Sequence, residues 1–356
     1  MEYGLKIFIF APRFVAMTHL EEFRELISTP RRMAIVTHYK PDADALGSSL
    51  GLWAFLKKLG HAPVVITPSD YPAFLHWMPG HPEVIISDDK NEELISRKIQ
   101  EAEVIFCLDF SALNRINHLG DLIRKASAKK VLIDHHLEPE HFADFEQWNI
   151  KSASTAGLVY ELILDLGHRD AIDAAIADCL YAGLMTDTGG FRHNNTRQEE
   201  FIIAADLVAR GANPTRVAKL IYDNNTLDRL RLTGYVLKDK LTVLPEFKTA
   251  YIVLSQDELR QFDSQSGDTE GFVNYGLSIE GIRLSVMIYE RKDEIKLSFR
   301  SMGDFSVNDL ARKHFNGGGH RNAAGGSSKT SLQETLNRFL SVLPEYQQQL
   351  LEDNNV

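Results

Sequence analysis

The sequence predicts an α/β fold: a doubly wound, mainly parallel sheet domain followed by a smaller α+β domain. Three observations lead there. Short β-rich runs alternate with longer amphipathic stretches between about residues 33 and 225. Three of those runs end in side chains able to bind a metal: His38, Asp109 and Asp134. Beyond Pro245 the pattern changes to the alternation of half-buried strands. A chain of 356 residues, 44% hydrophobic and 25% charged, can bury two cores.

In chain order, residues 1–16 precede a second methionine, Met17, and read as a flexible extension or as a start-site artefact. The runs MAIVTH (33–38), PVVIT (63–67), VIFCLD (104–109) and VLID (131–134) are expected as parallel strands. The crevice of such a sheet lies outside the carboxyl ends of its strands, so their terminal side chains can converge. STAGLVYELILDLG (154–167) and AIDAAIADCLYAGLMTDTGG (171–190) have the 3.6-residue periodicity of packed helices, and Asp187 sits where the second should end. TLDRLRLTGYVLKDKLTVLPEF (226–247) is charged and helical before Pro245, as a connecting helix would be. The expected organisation is therefore a catalytic domain at 17–225, a connector at 226–245 and a second domain at 246–346. In the latter, TAYIVLS, IRLSVMIYE and EIKLSFRS alternate like strands, with RKD at the hairpin between the last two, and SVNDLARKHF reads as a helix. NGGGHRNAAGG (316–326) suits a backbone that bends sharply or lies close to a ligand. The polar tail YQQQLLEDNNV is expected to fray.

Composition removes several function classes. No apolar stretch approaches the roughly 20 residues of a membrane span, and IFIFA is too short for a signal peptide, so a cytoplasmic protein with no membrane partner is expected. Cys107 and Cys179 lie in apolar segments and read as small hydrophobes. A net charge of −10 argues against a basic track for long nucleic acid, duplexes included, because such binding neutralises many phosphates. Small nucleotides at a metal centre stay open.

Four clusters carry acids and histidines. His38, Asp42 and Asp44 also read as an acidic helix start, with Asp44 near the N-cap. Asp109 alone reads as a turn residue. Asp134, His135 and His136 follow an apolar strand, where packing does not explain adjacent histidines. Asp187, in MTDTGGFR, reads as a turn or a ligand. Taken together they meet at one sheet edge, and so many carboxylates repel unless a cation lies among them. Oxygen donors with some imidazole favour Mn²⁺, Mg²⁺ or Co²⁺ over a thiolate zinc site. A carboxylate bridging two ions about 3.5 to 4 Å apart makes a two-metal centre for phosphoester hydrolysis.

The series THYKPDADALGS, CLDFS, DHH, GLMTDTGGFR and GGGH, within residues 33–343, resembles the motif set of the DHH phosphoesterases. Within that superfamily the chain resembles the compact two-domain oligoribonucleases, or nanoRNases, many of which also dephosphorylate 3′-phosphoadenosine 5′-phosphate (pAp). The GGGH segment is identified with the DHH-associated substrate domain, which distinguishes this branch from the manganese inorganic pyrophosphatases. The resemblance implies two divalent ions, Mn²⁺ foremost: His38, Asp42 and Asp109 on one, Asp44, His135 and Asp187 on the other, with Asp109 bridging. His136 would face the scissile phosphate as donor or proton carrier. Asp134 would orient the neighbouring metal-bound histidine.

In the smaller domain Arg300, Ser301 and His320 match positions that grip a terminal phosphate, and Gly317, Gly318 and Gly319 would offer backbone N–H groups. Arg115 matches a family arginine near the metals, or is a helix-surface charge. Arg321 takes no role. The implied partners are oligoribonucleotides of about two to five residues, given the acidic balance, together with pAp, and a homodimer is one open assembly. The rivals are a linear dinucleotide (pApA) hydrolase of the cyclic-di-AMP pathway, a RecJ-like single-strand exonuclease and a non-catalytic nucleotide-binding protein, the last disfavoured because all six ligand positions are filled.

Overall fold

A computed structural model describes residues 16–265 and 267–352, and the chain divides into two compact units, Met1–Asn224 and Asn225–Val356. The first runs α1 (Leu20–Leu26), β1 (Arg32–Thr37), α2 (Ala43–Lys58), β2 (Ala62–Thr67), β3 (Ile85–Ile86), α3 (Glu92–Glu101), β4 (Val104–Leu108), α4 (Leu119–Lys125), β5 (Lys129–Asp134), β6 (Phe145–Trp148), α5 (Thr155–Asp165), α6 (Ala174–Asp187), α7 (Gln198–Ala209) and α8 (Pro214–Tyr222). Among the described residues its six strands are all parallel, in the order β3-β2-β1-β4-β5-β6. From β1 the chain first builds outward one way, to β2 and β3, then returns to place β4 on the other side of β1. The crevice opens at that reversal, at the carboxyl ends of β1 and β4.

The strands are apolar throughout because both faces are covered. Met33, Ile35, Phe106, Val131 and Ile133 pack toward Leu46, Leu50, Leu158 and Leu180 of α2, α5 and α6. Ala34, Val36, Ile105, Cys107 and Leu132 pack toward Ile95, Ile99 and Ile123 of α3 and α4. Cys107 and Cys179 are buried free thiols, and burial pushes both up in pKa, which suits the packing role expected of them. Strands β3 and β6 escaped the sequence pattern: the first is two residues long, and FEQW is half polar. Met17 is buried, and the Thr18 N–H donates to the Glu146 carbonyl at 2.9 Å, so the chain joins the sheet edge there. The reading of 1–16 as an extension lies outside the described residues, Ala16 excepted.

Helices α2 and α6 meet where neither has a side chain. A Cβ on Gly47 would lie 2.4 Å from the Cys179 carbonyl oxygen, and one on Gly183 would lie 2.5 Å from Asp44 Oδ1. Glycine at both positions allows the close crossing.

The second unit runs α9 (Leu227–Tyr235), a wide π turn at Val236–Lys240, β7 (Leu241–Leu244), β8 (Thr249–Leu254), α10 (Gln256–Gln261), α11 (Phe272–Leu277), β9 (Leu284–Glu290), β10 (Ile295–Ser301), α12 (Val307–His314), β11 (Gly318–Gly319), β12 (Ala323–Ser328), α13 (Leu332–Val342) and α14 (Gln347–Glu352). Its sheet order is β11-β12-β10-β9-β8-β7, antiparallel except where β8 pairs with β9. The expected helical connector is corrected here. Its helical part stops at Lys240, and 241–244 pair antiparallel with β8, so a β-prone run that finds a sheet edge overrides the helical pattern. Leu232 and Val236 pack with Ile252, Leu254 and Phe272, which makes the segment part of this unit's core. The described part of the tail also departs from expectation: Gln347–Glu352 is helical because Leu350 buries completely among Leu343, Phe305 and Phe339, and 353–356 lie outside the described residues. Among the described residues no helix is long and apolar enough to cross a membrane.

Two stability predictions follow from the first unit. Gly47→Ala forces α2 and α6 apart and should lower unfolding free energy by about 1–3 kcal/mol in urea titration. Glu161 on α5 is pushed up to about 8 by burial, with the Asp165 and Glu200 carboxylates adding to the shift. Its folded pKa therefore exceeds its unfolded one, so stability falls as pH rises from the ordinary glutamate range through 8. Glu161→Gln should melt higher than wild type at pH 8.5 and lose that advantage at pH 4.5, by differential scanning calorimetry.

Candidate metal centre

His38 follows β1 directly. Its Nδ1 contacts the Tyr39 carbonyl at 3.0 Å, and Nε2 lies 3.4 Å from Asp109 Oδ2 and 3.9 Å from Asp42 Oδ1. The turn to α2 passes through Lys40 at a left-handed φ of 58° and ends at Asp42, whose Oδ1 accepts from the N–H groups of Asp44 and Ala45 at 3.0 Å each. The N-cap is thus Asp42 and not Asp44, so Asp42 combines helix capping with a half-exposed carboxylate near His38. Asp44 points the other way, into the interior. Its Oδ2 accepts the Thr155 N–H at 2.6 Å and its Oδ1 the Ala156 N–H at 2.9 Å, which seats a fully buried carboxylate on the N-terminus of α5.

Asp109, just past β4, lies between these two groups. Its φ of 66° is left-handed, and its N–H continues the ladder to the Ile133 carbonyl at 3.1 Å. Oδ1 accepts the Thr155 hydroxyl at 2.9 Å and lies 3.4 Å from His135 Nε2, while Oδ2 faces His38. His135 Nε2 is also 3.3 Å from Asp187 Oδ2 and 3.8 Å from Asp44 Oδ2. Asp187 ends α6, and its carbonyl accepts from the Asn195 side-chain amide at 3.1 Å.

One expectation is corrected. Asp134 does not orient His135: its Oδ1 contacts His136 Nδ1 at 2.8 Å, and His135 Nδ1 instead meets the Ser152 carbonyl at 3.2 Å. Strand β5 ends at Asp134, and the bend that follows brings both imidazoles toward Asp109 Oδ1, His135 through Nε2 at 3.4 Å and His136 through Nδ1 at 3.7 Å, with that same Nδ1 turned back onto Asp134. The Trp148 indole N–H fixes the His136 carbonyl at 2.7 Å.

The charges are mutually dependent. Burial, then the Asp109 charge, pushes Asp44 well above the usual carboxylate range, and burial with Asp44 and Asp42 does the same to Asp187. Burial alone would raise Asp109, but His135 and His38 hold it well below. Burial opposes charging of His38 and His135, yet the facing carboxylates win: His38 is raised to about 9 and His135 well above its usual value. The site thus gathers more acid than its own histidines neutralise comfortably. His38, Asp42 and Asp109 place donor atoms within 4.8 Å of one another, and so do Asp44, Asp109 and His135. These sets of hard oxygen with imidazole fit divalent cations of the Mn²⁺ or Mg²⁺ type, and Asp109 belongs to both.

Sequence reasoning passed over Thr155. Its signal was present in SAST ahead of an apolar helix: Ser154 is the N-cap, accepting from the Gly157 N–H at 3.0 Å. Arg115 lies in a short 3-10 turn whose carbonyl accepts the Tyr39 N–H at 3.1 Å, beside the His38 corner.

Within the second unit, Arg300 sits on β10 opposite Ser285 and Ala323, its Nη1 donating to the Phe299 carbonyl at 3.0 Å. Ser301 is buried and its hydroxyl donates to the Phe305 carbonyl at 2.7 Å, so that donor is spent on the turn and not offered to a ligand. The glycines differ from expectation too. The Gly317 N–H goes to the Ala311 carbonyl at 3.2 Å and the Gly319 N–H to Asn308 Oδ1 at 2.9 Å, while Gly318 pairs with Gly325 across the sheet. The role of Gly317 and Gly319 is steric: a Cβ on Gly317 would lie 2.0 Å from the Gly325 carbonyl oxygen, and Gly319 has φ 147°. His320, next in chain, is half-buried and its N–H donates to the Ala323 carbonyl at 2.7 Å.

Comparison with known proteins matches residues 32–184 to the DHH family N-terminal domain and 247–349 to the DHHA1 domain. The chain is 32% identical over 322 residues to the bifunctional oligoribonuclease and PAP phosphatase NrnA of Thermus thermophilus, covering 87% of this chain and 89% of that one. It is 28% identical over 291 residues to the protein of the same name from Bacillus subtilis, covering 82% and 87%. A crystal structure of an exopolyphosphatase-related protein from Bacteroides fragilis superposes with a TM-score of 0.89 at 39% identity, over 94% of this chain and 98% of that one. With both domains matched in order, and with a relative that alike across most of both chains, the protein belongs to the DHH family of phosphoesterases, in the branch that carries a DHHA1 domain.

Proposed function

We propose that this phosphoesterase uses two divalent ions, Mn²⁺ foremost, to hydrolyse oligoribonucleotides of a few residues to mononucleotides, and that it also removes the 3′-phosphate of pAp. The observation that carries the reading is Asp109, whose two oxygens face different donor groups: Oδ2 toward His38 and Oδ1 toward His135. Family membership and the names of the relatives support the substrate class.

His38, Asp42 and Asp109 would hold one ion, and Asp44, His135 and Asp187 the other, with Asp109 shared. Bound ions of this kind supply a water nucleophile at neutral pH and offset charge on the phosphate. The protein's own groups do the rest. Asp134 fixes the ring of His136 through Nδ1, and Nε2 would donate to the phosphate or protonate the leaving oxygen. Arg115, beside the His38 corner, adds a guanidinium for the phosphate. Arg300 and His320 of the second unit are the proposed grips for the substrate's terminal phosphate. Ser301 and Gly317, Gly318 and Gly319 shape the segments that carry them.

Incubation with Mn²⁺ and, in parallel, pApA, a 24-residue RNA and pAp tests the reading. Mononucleotide release from pApA far faster than shortening of the long RNA is the expected result. Efficient degradation of the long RNA would place the protein with the RecJ-like exonucleases, and activity confined to pApA would favour the cyclic-di-AMP pathway. Asp109→Asn should abolish turnover and lower Mn²⁺ affinity in calorimetry by more than the ~10–100-fold typical of changes outside the ligand shell. Arg300→Ala should raise KM for pApA about tenfold or more while leaving kcat within about threefold, as loss of a charge-assisted contact of ~1.5–3 kcal/mol to the bound substrate predicts.

A further inference from the structure

We infer that Thr155 is a positioning residue that sets the spacing of the two metal-binding groups, a role that rests on the two-ion reading above. Thr155 is fully buried and touches both central carboxylates. Its backbone N–H donates to Asp44 Oδ2 at 2.6 Å, and its hydroxyl donates to Asp109 Oδ1 at 2.9 Å. Asp44 enters from the first turn of α2 and Asp109 from the end of β4, two elements far apart in the chain. One residue therefore ties together donor groups that the chain supplies from separate places.

The tie is stiff for three reasons. A hydroxyl one bond beyond Cβ is confined to a few staggered positions relative to its own N–H. The residue opens α5, where Ser154 caps the helix and Ala156 supplies a second N–H to Asp44 at 2.9 Å, so the backbone cannot swing. The bonds are buried, and there a satisfied network is strong and a broken one costly.

The bond to Asp109 has a further geometric effect. A carboxylate at the end of a single methylene can rotate about its terminal torsion, which is broad and roughly two-fold. The Thr155 hydroxyl occupies one lone pair of Oδ1 and fixes the carboxylate plane. Oδ1 then stays on the Asp44 and His135 side and Oδ2 on the His38 side. Without that bond either oxygen could turn, and one donor group would lose its share of Asp109. Thr155 thus determines whether Asp109 serves two ions or one, and it does so without being a ligand itself.

The test uses the full-length protein stripped of metal, with Thr155→Val, which keeps shape and loses the hydroxyl, and Thr155→Ser, which keeps the hydroxyl. Calorimetric titration with Mn²⁺ should give two sites in wild type and in the serine variant. The valine variant should hold one ion near wild-type affinity and bind the second ~10–100-fold more weakly. Electron paramagnetic resonance of the Mn²⁺-loaded proteins should show the exchange-coupled signal of a carboxylate-bridged pair in wild type and Thr155→Ser, and isolated Mn²⁺ in Thr155→Val at one equivalent excess. Circular dichroism and melting of the metal-free proteins distinguish a misfolded valine variant, in which case the serine variant and Thr155→Ala carry the comparison. Equal two-site binding by the valine variant, or failure of serine to restore it, overturns the inference. Wild-type protein that binds no more than one Mn²⁺ would instead overturn the two-ion reading on which it rests.

Discussion

The repulsion among Asp44, Asp109 and Asp187 is the constraint on which the first unit depends. Two like charges 4 Å apart cost about 4 kcal/mol at an effective dielectric near 20, and burial adds the loss of hydration. A fold that gathers three such groups must supply positive charge to them. This one does so from several sources: two imidazoles, the N-terminus of α5 beneath Asp44, and a donor geometry suited to divalent cations. The glycines at the α2–α6 crossing belong to the same solution, because Asp44 fits against α6 only where Gly183 has no side chain.

The sheet explains why these groups meet. Parallel strands all deliver their carboxyl ends to one edge, and the reversal between β1 and β4 opens a gap there. His38 and Asp109 come from those two strands, and the histidine pair comes from the next. The helices then supply what strands cannot. Asp42 and Asp44 start one helix, Asp187 ends another, and Thr155 opens a third. Strand ends fix the floor of the site and helix ends fix its walls.

Much of this was legible in the sequence because it is written in short-range patterns. Apolar runs ending in His38, Asp109 and Asp134 announce strands whose ends carry chemistry, and the clustering of acids announces a cation. What escaped depends on three-dimensional neighbours. A threonine at a helix start looks the same whether it caps, packs or holds a carboxylate 46 positions away. The partner of Asp134 is set by the bend after β5, which turns the His136 ring back onto it, and adjacency in sequence points to the wrong histidine. Glycine density in NGGGHRNAAGG correctly signals close approach, but the approaching group is the protein's own backbone. The run at 241–244 became a strand because β8 offered it an edge, information held elsewhere in the chain.

The left-handed backbone at Asp109 narrows what evolution can place there. At φ 66° most side chains carry a steric penalty, and the residues that tolerate it best are glycine, asparagine and aspartate. Glycine offers no donor, and asparagine offers one oxygen without charge. A glutamate would keep the charge but pay more in the backbone and reach a methylene too far. The main chain therefore restricts the repertoire at this position before any ion has its say. The central carboxylate of the cluster is thus restricted first by the geometry of the peptide.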